Sequence, residues 1–346
     1  VPYTVLLFLL GMCFGFINVG DLSDSFESFS SIDPHLFLTI FLPPLIFESG
    51  FMCNYHVMMR EFTQILLLSV CGVSIATGLT GTVIYYLFSY YQYSWSEALM
   101  FGAAISATDP VAVVSLLHEL GCSTRLATMI EGESLFNDGT AYVFFILFKD
   151  MVTATVDHDI NSVITLFVRL AGGGLVLGKL IGFLCLYLLK KTKKSTKIET
   201  AITITGSYVA FWVAESPMCH IQVSGVLAVV SFALTLSKHK SAITPSVLEN
   251  VVSFWEVTAF LANIMVFILS GIIITINFKA DFFNAIDVAL LLALYISLLV
   301  IRAMAIGGIY PLLKRTGYGL SYGDAVVMTY GGLRGAIGLA LGLIVE

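Results

Sequence analysis

Charged residues are scarce in this chain, which contains 12% Asp, Glu, Lys and Arg against 58% apolar residues. A soluble globular domain has about 25% charged residues. The mean hydropathy of +0.93 points in the same direction. The composition therefore excludes a soluble domain and predicts an integral membrane protein. Membrane lipid is its expected surrounding, and we expect no nucleic-acid partner.

The chain also lacks the residue spacings of metal sites and of catalytic centres. Its six cysteines and six histidines form no ligand spacing. We interpret the cysteines as small packing residues and the histidines as surface residues. A membrane enzyme would need a nucleophile, a metal or a cofactor. We therefore expect no disulfide, no structural metal, no cofactor and no enzymatic activity.

Long apolar runs, in contrast, recur along the whole chain. A bilayer core about 30 Å thick requires about 20 apolar residues per helix. We place eleven such spans, near residues 3–19, 35–52, 63–90, 96–118, 125–149, 161–189, 198–215, 221–237, 251–277, 285–312 and 321–345. Most connecting loops are only a few residues long, which predicts one all-α membrane domain over residues 1–346.

Basic residues cluster in every second loop. The even-numbered loops hold Arg60, Arg125, Lys190, Lys191, Lys193, Lys194, Lys197, Lys238, Lys240, Lys314 and Arg315, whereas the odd-numbered loops hold only Lys149 and Lys279. The positive-inside rule then places Val1 on the cytoplasmic side and Glu346 on the outer side. Because Val1 is not a methionine and the last residues are still apolar, we expect a further N-terminal helix, a final helix and a cytoplasmic regulatory region.

Several ionisable residues lie inside these apolar spans. An ionisable group at the centre of a membrane helix costs about 2.5 to 3.5 kcal/mol on insertion scales. Such a group is therefore paired, hydrated or part of a functional site. We interpret Asp109 and Asp138 as an ion or proton site. Arg302 and Arg334 need acidic or carbonyl partners. The long stems of Arg169 and Lys179 can instead reach water. The available acids are Glu48, Asp109, Glu131, Glu133, Asp138 and Glu215.

Helix breakers accompany two of these residues. Pro110 disfavours helical backbone at Asp109 and predicts an interruption at Thr108–Asp109. Gly331, Gly332 and Gly335 can unwind the eleventh span beside Arg334. Two interrupted helices would expose half-helix ends at mid-membrane, which is how many secondary transporters form a cation site.

Four segments, taken in order, resemble a known family. They are residues 41–50 (FLPPLIFESG), 107–113 (ATDPVAV), 132–139 (GESLFNDG) and 331–337 (GGLRGAI). The set looks like the sodium/proton exchangers of the NHE type, among the cation/proton antiporters, and the resemblance covers residues 1–346. Residues 255–256 and 260–263 most resemble the sperm-specific exchanger, whose members carry voltage-sensing and cyclic-nucleotide-binding regions downstream.

The resemblance implies an inverted-repeat antiporter fold with two crossed, broken helices. About eleven of a total of thirteen membrane helices would lie in this chain. Core-domain helices would lie near residues 35–149 and 251–346, with dimerisation-domain helices interspersed. The protein would be a multi-pass homodimer of the cell membrane, and of the flagellar membrane in the sperm branch.

The resemblance also implies an ion site. Asp138 would bind sodium or a proton in turn, and Asn137 would be its neighbour. Thr108 and Asp109 would line the site from the first broken helix. A carboxylate that holds either ion makes the two compete, so exchange follows if only occupied forms cross the membrane.

Further roles follow from the same motifs. Glu133 would pair with Arg302, and Arg334 would hold the second broken helix. Asn263 stands where several animal plasma-membrane exchangers have a glutamate, so that residue's role in pH regulation is not carried over. Residue 137 is asparagine, which predicts one proton per sodium and hence electroneutral exchange that controls intracellular pH.

Several alternatives stay open at this point. Lithium is a possible substitute for sodium, and potassium/proton exchange or another proton-coupled carrier has the same requirements. A sensor that has lost transport would keep the fold. A channel would need a continuous pore, against which the buried arginines argue.

Overall fold

The computed structural model describes residues 3–16, 34–121, 123–153, 160–192, 195–216, 222–280 and 285–342, and this part of the chain is all helical. Its α-helices are α1 (Tyr3–Phe16), α2 (Pro34–Met52), α3 (Tyr55–Arg60), α4 (Phe62–Leu87), α5 (Trp95–Ser106), α6 (Val111–Glu119), α7 (Thr124–Val152), α8 (Ile160–Lys191), α9 (Thr196–Glu215), α10 (Gly225–Lys238), α11 (Pro245–Ala280), α12 (Ala285–Leu313), α13 (Tyr322–Tyr330) and α14 (Ala336–Gly342). Within α4, Leu67–Gly72 is π-helical.

Among the residues that the structure describes, four helices are long and apolar enough to cross a membrane by themselves. They are the helices that contain Phe62–Leu87, Asn161–Lys191, Pro245–Ile276 and Ile286–Leu313. An all-helical fold with apolar membrane spans is therefore confirmed, whereas the number of eleven crossings stays a prediction. The 29-residue helix α7, where the sequence predicts a span near residues 125–149, is not among these four, because its middle carries acidic side chains.

The packing of α2 compensates for two prolines inside it. Pro43 and Pro44 lie within this helix. Since Pro44 has no N–H, the carbonyl of Ile40 loses its helical donor. The hydroxyl of Tyr208 on α9 donates to that carbonyl at 3.0 Å. A side chain from a neighbouring helix thus restores the pairing that a membrane interior requires.

The helices form two groups. In the first group, α1 and α2 pack on α11, and α2, α8 and α9 pack on α10. In the second group, α5 packs on α4, α7 and α14, while α12 packs on α4 and α13. The second group contacts the first through the face of α7 that packs on α2, α8 and α10, and through α14, which packs on α2 and α11. The predicted division into core and dimerisation domains stays a prediction.

Basic residues, among them Arg125 and Lys238, lie at one end of the bundle, and we call it the basic end. Here the Lys238 ammonium lies 5.7 Å from the ring centroid of Tyr55, which joins the end of α10 to the start of α3. Arg125 Nε at the start of α7 donates to Glu61 Oε1 at 2.6 Å. Loops predicted to share one side of the membrane therefore lie together.

Glycines bring α8 and α10 into close contact. Gly174, Gly178 and Gly182 recur every four residues on α8 and face α10. A Cβ placed on Gly178 would lie 1.9 Å from the carbonyl oxygen of Ala228. Small residues at such spacing allow membrane helices to approach backbone to backbone.

We predict that Gly178→Val destabilises the protein by separating α8 from α10. Overpacking of this kind costs about 1 to 3 kcal/mol, which lowers the melting temperature by roughly 3 °C or more. Gly172→Val is the matched control on the same helix, since a Cβ there meets nothing within 4 Å. Thermal unfolding of the detergent-solubilised protein measures both, and equal melting temperatures would contradict the prediction.

Candidate functional site

Two helices are interrupted, and the two breaks lie against each other. Residues 107–110 separate α5 from α6, and residues 331–335 separate α13 from α14. The Asp109 N–H donates to the carbonyl of Leu333 at 2.7 Å, which forms a single antiparallel bridge. The interruptions predicted at Thr108–Asp109 and at Gly331–Gly335 are both present.

The local sequence explains why the chain can break here. Pro110 lacks an N–H, and Ala107 is already extended, with φ −58° and ψ 136°. At the second break, a Cβ on Gly335 would lie 2.3 Å from the Asp109 Cβ. Only glycine therefore allows the two breaks to approach so closely.

Three carbonyls at the first break accept hydrogen bonds from side chains. Ser106 O accepts from Asn137 Nδ2 at 3.4 Å, Ala107 O from Arg334 Nη1 at 3.4 Å, and Thr108 O from Ser134 Oγ. Unpaired backbone groups are not tolerated at membrane depth. The first break is therefore stabilised by side chains of α7 and of the second break.

Asn137 lies at this break, and it does not line the cavity that opens beside the break. Its Nδ2 also donates to Thr108 Oγ1 at 2.6 Å, and the residue is completely buried. The contact to Ser106 O, which can only accept, fixes which way the amide faces. Asn137 therefore holds the break in position.

A cavity of about 380 Å³ opens beside the two breaks. Its polar lining residues include Glu48, Thr108, Asp109, Glu131, Ser134, Asp138 and Asn263. The backbone amide of Thr108 hydrogen-bonds to the Asp138 carboxylate. Glu48 on α2 and Asn263 on α11 line one wall, and α7 with the breaks forms the other. The cavity thus lies between the two helix groups.

The cavity is acidic, and it extends toward the basic end of the bundle. Glu131 precedes Asp138 by seven residues, or about 10 Å of helix, in the direction of Arg125. Among the lining residues that the structure describes, none is Lys, Arg or His. Carboxylates that line one cavity together raise the local concentration of cations.

The described residues contain no group of three His, Cys, Asp or Glu that could hold a metal ion. A cation bound at Asp138 would therefore have fewer than three ligands of these residue types, and backbone, hydroxyl or water oxygens would complete its coordination. Such a site suits a weakly held monovalent ion better than a firmly bound divalent one.

Glu133 and Arg302 form a bidentate ion pair. Arg302 Nη1 and Nη2 donate to the two Glu133 carboxylate oxygens, both at 3.0 Å. The two side chains are 3% and 14% exposed, so the pair is largely shielded from solvent. It joins α7 to α12. Arg334 differs, because it is exposed and reaches a carbonyl.

Sequence reasoning missed several residues of this site. Ser134 lies four residues before Asp138, and that helical spacing could have revealed it. Glu48 and Glu131 were named only as acids available to the arginines, yet both line the cavity. No sequence signal points to the carbonyl of Leu333 as a partner of the first break.

The whole chain matches one family model. Residues 1–346 match the transmembrane sodium/hydrogen exchanger family. The chain belongs to this family. Its members are transporters and not enzymes, which fits the expectation from the sequence.

Relatives of this exchanger-family chain include proteins from plants and cyanobacteria. It is 37% identical to sodium/hydrogen exchanger 7 of Arabidopsis thaliana, over 100% of this chain and 31% of that protein. It is 34% identical to the Na(+)/H(+) antiporter ApNhaP of Aphanothece halophytica, over 100% of this chain and 63% of that protein. The chain therefore spans less than two thirds of either relative.

A solved structure shares the fold of this exchanger-family chain. The sodium proton antiporter MjNhaP1 from Methanocaldococcus jannaschii, at pH 8, matches with a TM-score of 0.77 and 19% identity, over 100% of this chain and 80% of that one. The antiporter fold is therefore shared. The finer resemblance to the sperm-specific branch receives no support from these comparisons.

We predict that Glu133 and Arg302 depend on each other. Removal of one partner leaves a buried charge, at a cost of about 3 to 5 kcal/mol in a protein interior. Glu133→Gln or Arg302→Ala should each lower membrane yield and thermal stability, and the double variant should lose less than the sum. Lys179→Ala, at an exposed position on α8, is the control for removal of a charge. Additive losses would show that the pair is not coupled.

Proposed function

We propose that this chain is the transport domain of an electroneutral sodium/proton antiporter that works by alternating access. The observation that carries the proposal is the position of Asp138, which lines an acidic cavity beside two helix breaks that meet. The printed names of its relatives, exchangers and antiporters of sodium and protons, support the choice of ions.

Asp138 is the carrier in this proposal. Its carboxylate binds a sodium ion or a proton, so the two ions compete for one group. The Thr108 amide orients that carboxylate from the first break, and Asp109 adds negative charge nearby. If only occupied forms cross between the two sides, exchange follows without a chemical step.

We place the basic end in the cytoplasm, by the positive-inside rule. The cavity at Asp138 then opens inward, and Glu48 and Glu131 lie on the path of a cytoplasmic cation. In a cell membrane, exchange in this orientation would control intracellular pH.

The assembly is part of the same proposal. Two interrupted helices, α5 with α6 and α13 with α14, are the arrangement that an inverted repeat produces. A homodimer through the first helix group, with thirteen helices per subunit, follows the family resemblance. The proposal does not depend on the sperm branch or on downstream voltage-sensing or nucleotide-binding regions.

The first prediction from this function concerns Asp138. Asp138→Asn should abolish sodium-driven proton flux in reconstituted vesicles, because an amide cannot exchange a proton at this pH. Asp324→Asn is the matched control, at the start of α13 and outside the cavity lining. Substantial residual proton flux in Asp138→Asn would contradict the mechanism. Lithium or potassium in place of sodium would establish the ion preference.

The second prediction concerns charge balance. With asparagine at position 137, only Asp138 of this motif alternates, so one positive charge moves each way per cycle. The sodium gradient at which proton flux reverses should then be the same at every clamped membrane potential, even if the rate changes. A reversal point that shifts with potential would show unequal stoichiometry, and a second titrating group such as Asp109 would have to take part.

A further inference from the structure

A second cavity, of about 340 Å³, lies beyond Asp138 in the direction away from the basic end. It is formed between α7, the first-group helices α8 and α9, and residues 222–224, which directly precede α10. Its charged and polar lining residues include Tyr142, Asp150, Arg169, Glu215 and Ser224. Both cavities therefore lie at the same interface between the two helix groups.

The two cavities follow one face of α7. Ser134, Asp138, Tyr142 and Ile146 recur every four residues, which places them on the same side of the helix. Ser134 and Asp138 line the first cavity, whereas Tyr142 and Ile146 line the second. From Asp138 to Tyr142 the helix rises about 6 Å. Roughly one turn of α7 thus separates the two cavities.

Two contacts block the passage between the two cavities along this turn of α7. Tyr142 is 3% exposed, and its hydroxyl hydrogen-bonds to Glu215 on α9. Between the cavities, Gly139 is covered by Leu227 of α10, since a Cβ on Gly139 would lie 2.3 Å from Leu227 Cδ2. Both contacts join the second helix group to the first. They must separate if the two groups move past each other.

Glu215 is fixed on the first group. Its Oε1 accepts a hydrogen bond from the Gly225 N–H at the start of α10, at 2.8 Å. A Cβ on Gly225 would lie 2.9 Å from the same oxygen. The carboxylate therefore stays with α9 and α10, while the Tyr142 hydroxyl belongs to α7.

We propose that Tyr142 and Glu215 form the gate that closes the path of the ion on the side opposite the basic end. The inference rests on the proposed function. Their hydrogen bond separates Asp138 from the second cavity, which is the far half of the path for a monovalent cation. Asp150 and Glu215 are the carboxylates that such a cation meets there, and Arg169 offsets part of their charge.

The gate can be tested by accessibility, without any transported ion. Leu135→Cys places a thiol in the first cavity, in the full-length protein with its native cysteines replaced by alanine. A charged, membrane-impermeant thiosulfonate is applied only from the side opposite the basic end. Tyr142→Phe and Glu215→Gln should each raise the labelling rate about tenfold, the factor expected for loss of one hydrogen bond to a charged group.

Tyr208→Phe is the matched control. It also removes a hydroxyl, but the bond of that hydroxyl to Ile40 stays within the first helix group, so the labelling rate should not change. Labelling from the basic side shows that each variant is folded. An unchanged rate from the opposite side in either Tyr142→Phe or Glu215→Gln overturns the gate. Residual flux in Asp138→Asn would overturn the proposed function and leave this result intact.

Discussion

Backbone groups inside a membrane must be paired, and the rest of this structure depends on that requirement. At the break before Pro110, Ser134, Asn137 and Arg334 donate to three backbone carbonyls. Many polar residues of the apolar spans are thereby explained as partners of the backbone. Asp138 is different, because its carboxylate accepts from the Thr108 amide and still lines an open cavity.

Glu133 and Asp138 on α7 have different surroundings, although only five positions separate them. Glu133 is held by both terminal nitrogens of Arg302, so its charge is compensated within the protein. The cavity lining around Asp138 contains further carboxylates and, among the described residues, no basic side chain. A charge that is paired permanently serves the fold, whereas one that faces other acids is available to a mobile cation.

The features that could be predicted from the sequence are those that a residue imposes on its own stretch of backbone. Pro110 and the glycines of residues 331–335 act on their own backbone, so both breaks could be located without a structure. The π-helical stretch Leu67–Gly72 has no such signal. The contact of Tyr142 with Glu215 was also missed, because the two residues are distant in the sequence and only the packing of α7 on its neighbours brings them together.

The distribution of contacts indicates which parts can move together. The bonds that hold the breaks join α5, α7 and residues 331–335, and the ion pair of Glu133 joins α7 to α12. All of them lie within the second helix group. The contacts that close the turn between the two cavities, from Tyr142 to Glu215 and from Gly139 to Leu227, instead cross to the first group. In the mechanism that we propose, the second group would shift against the first with these bonds intact, and Asp138 would keep its geometry while its access changed from one cavity to the other.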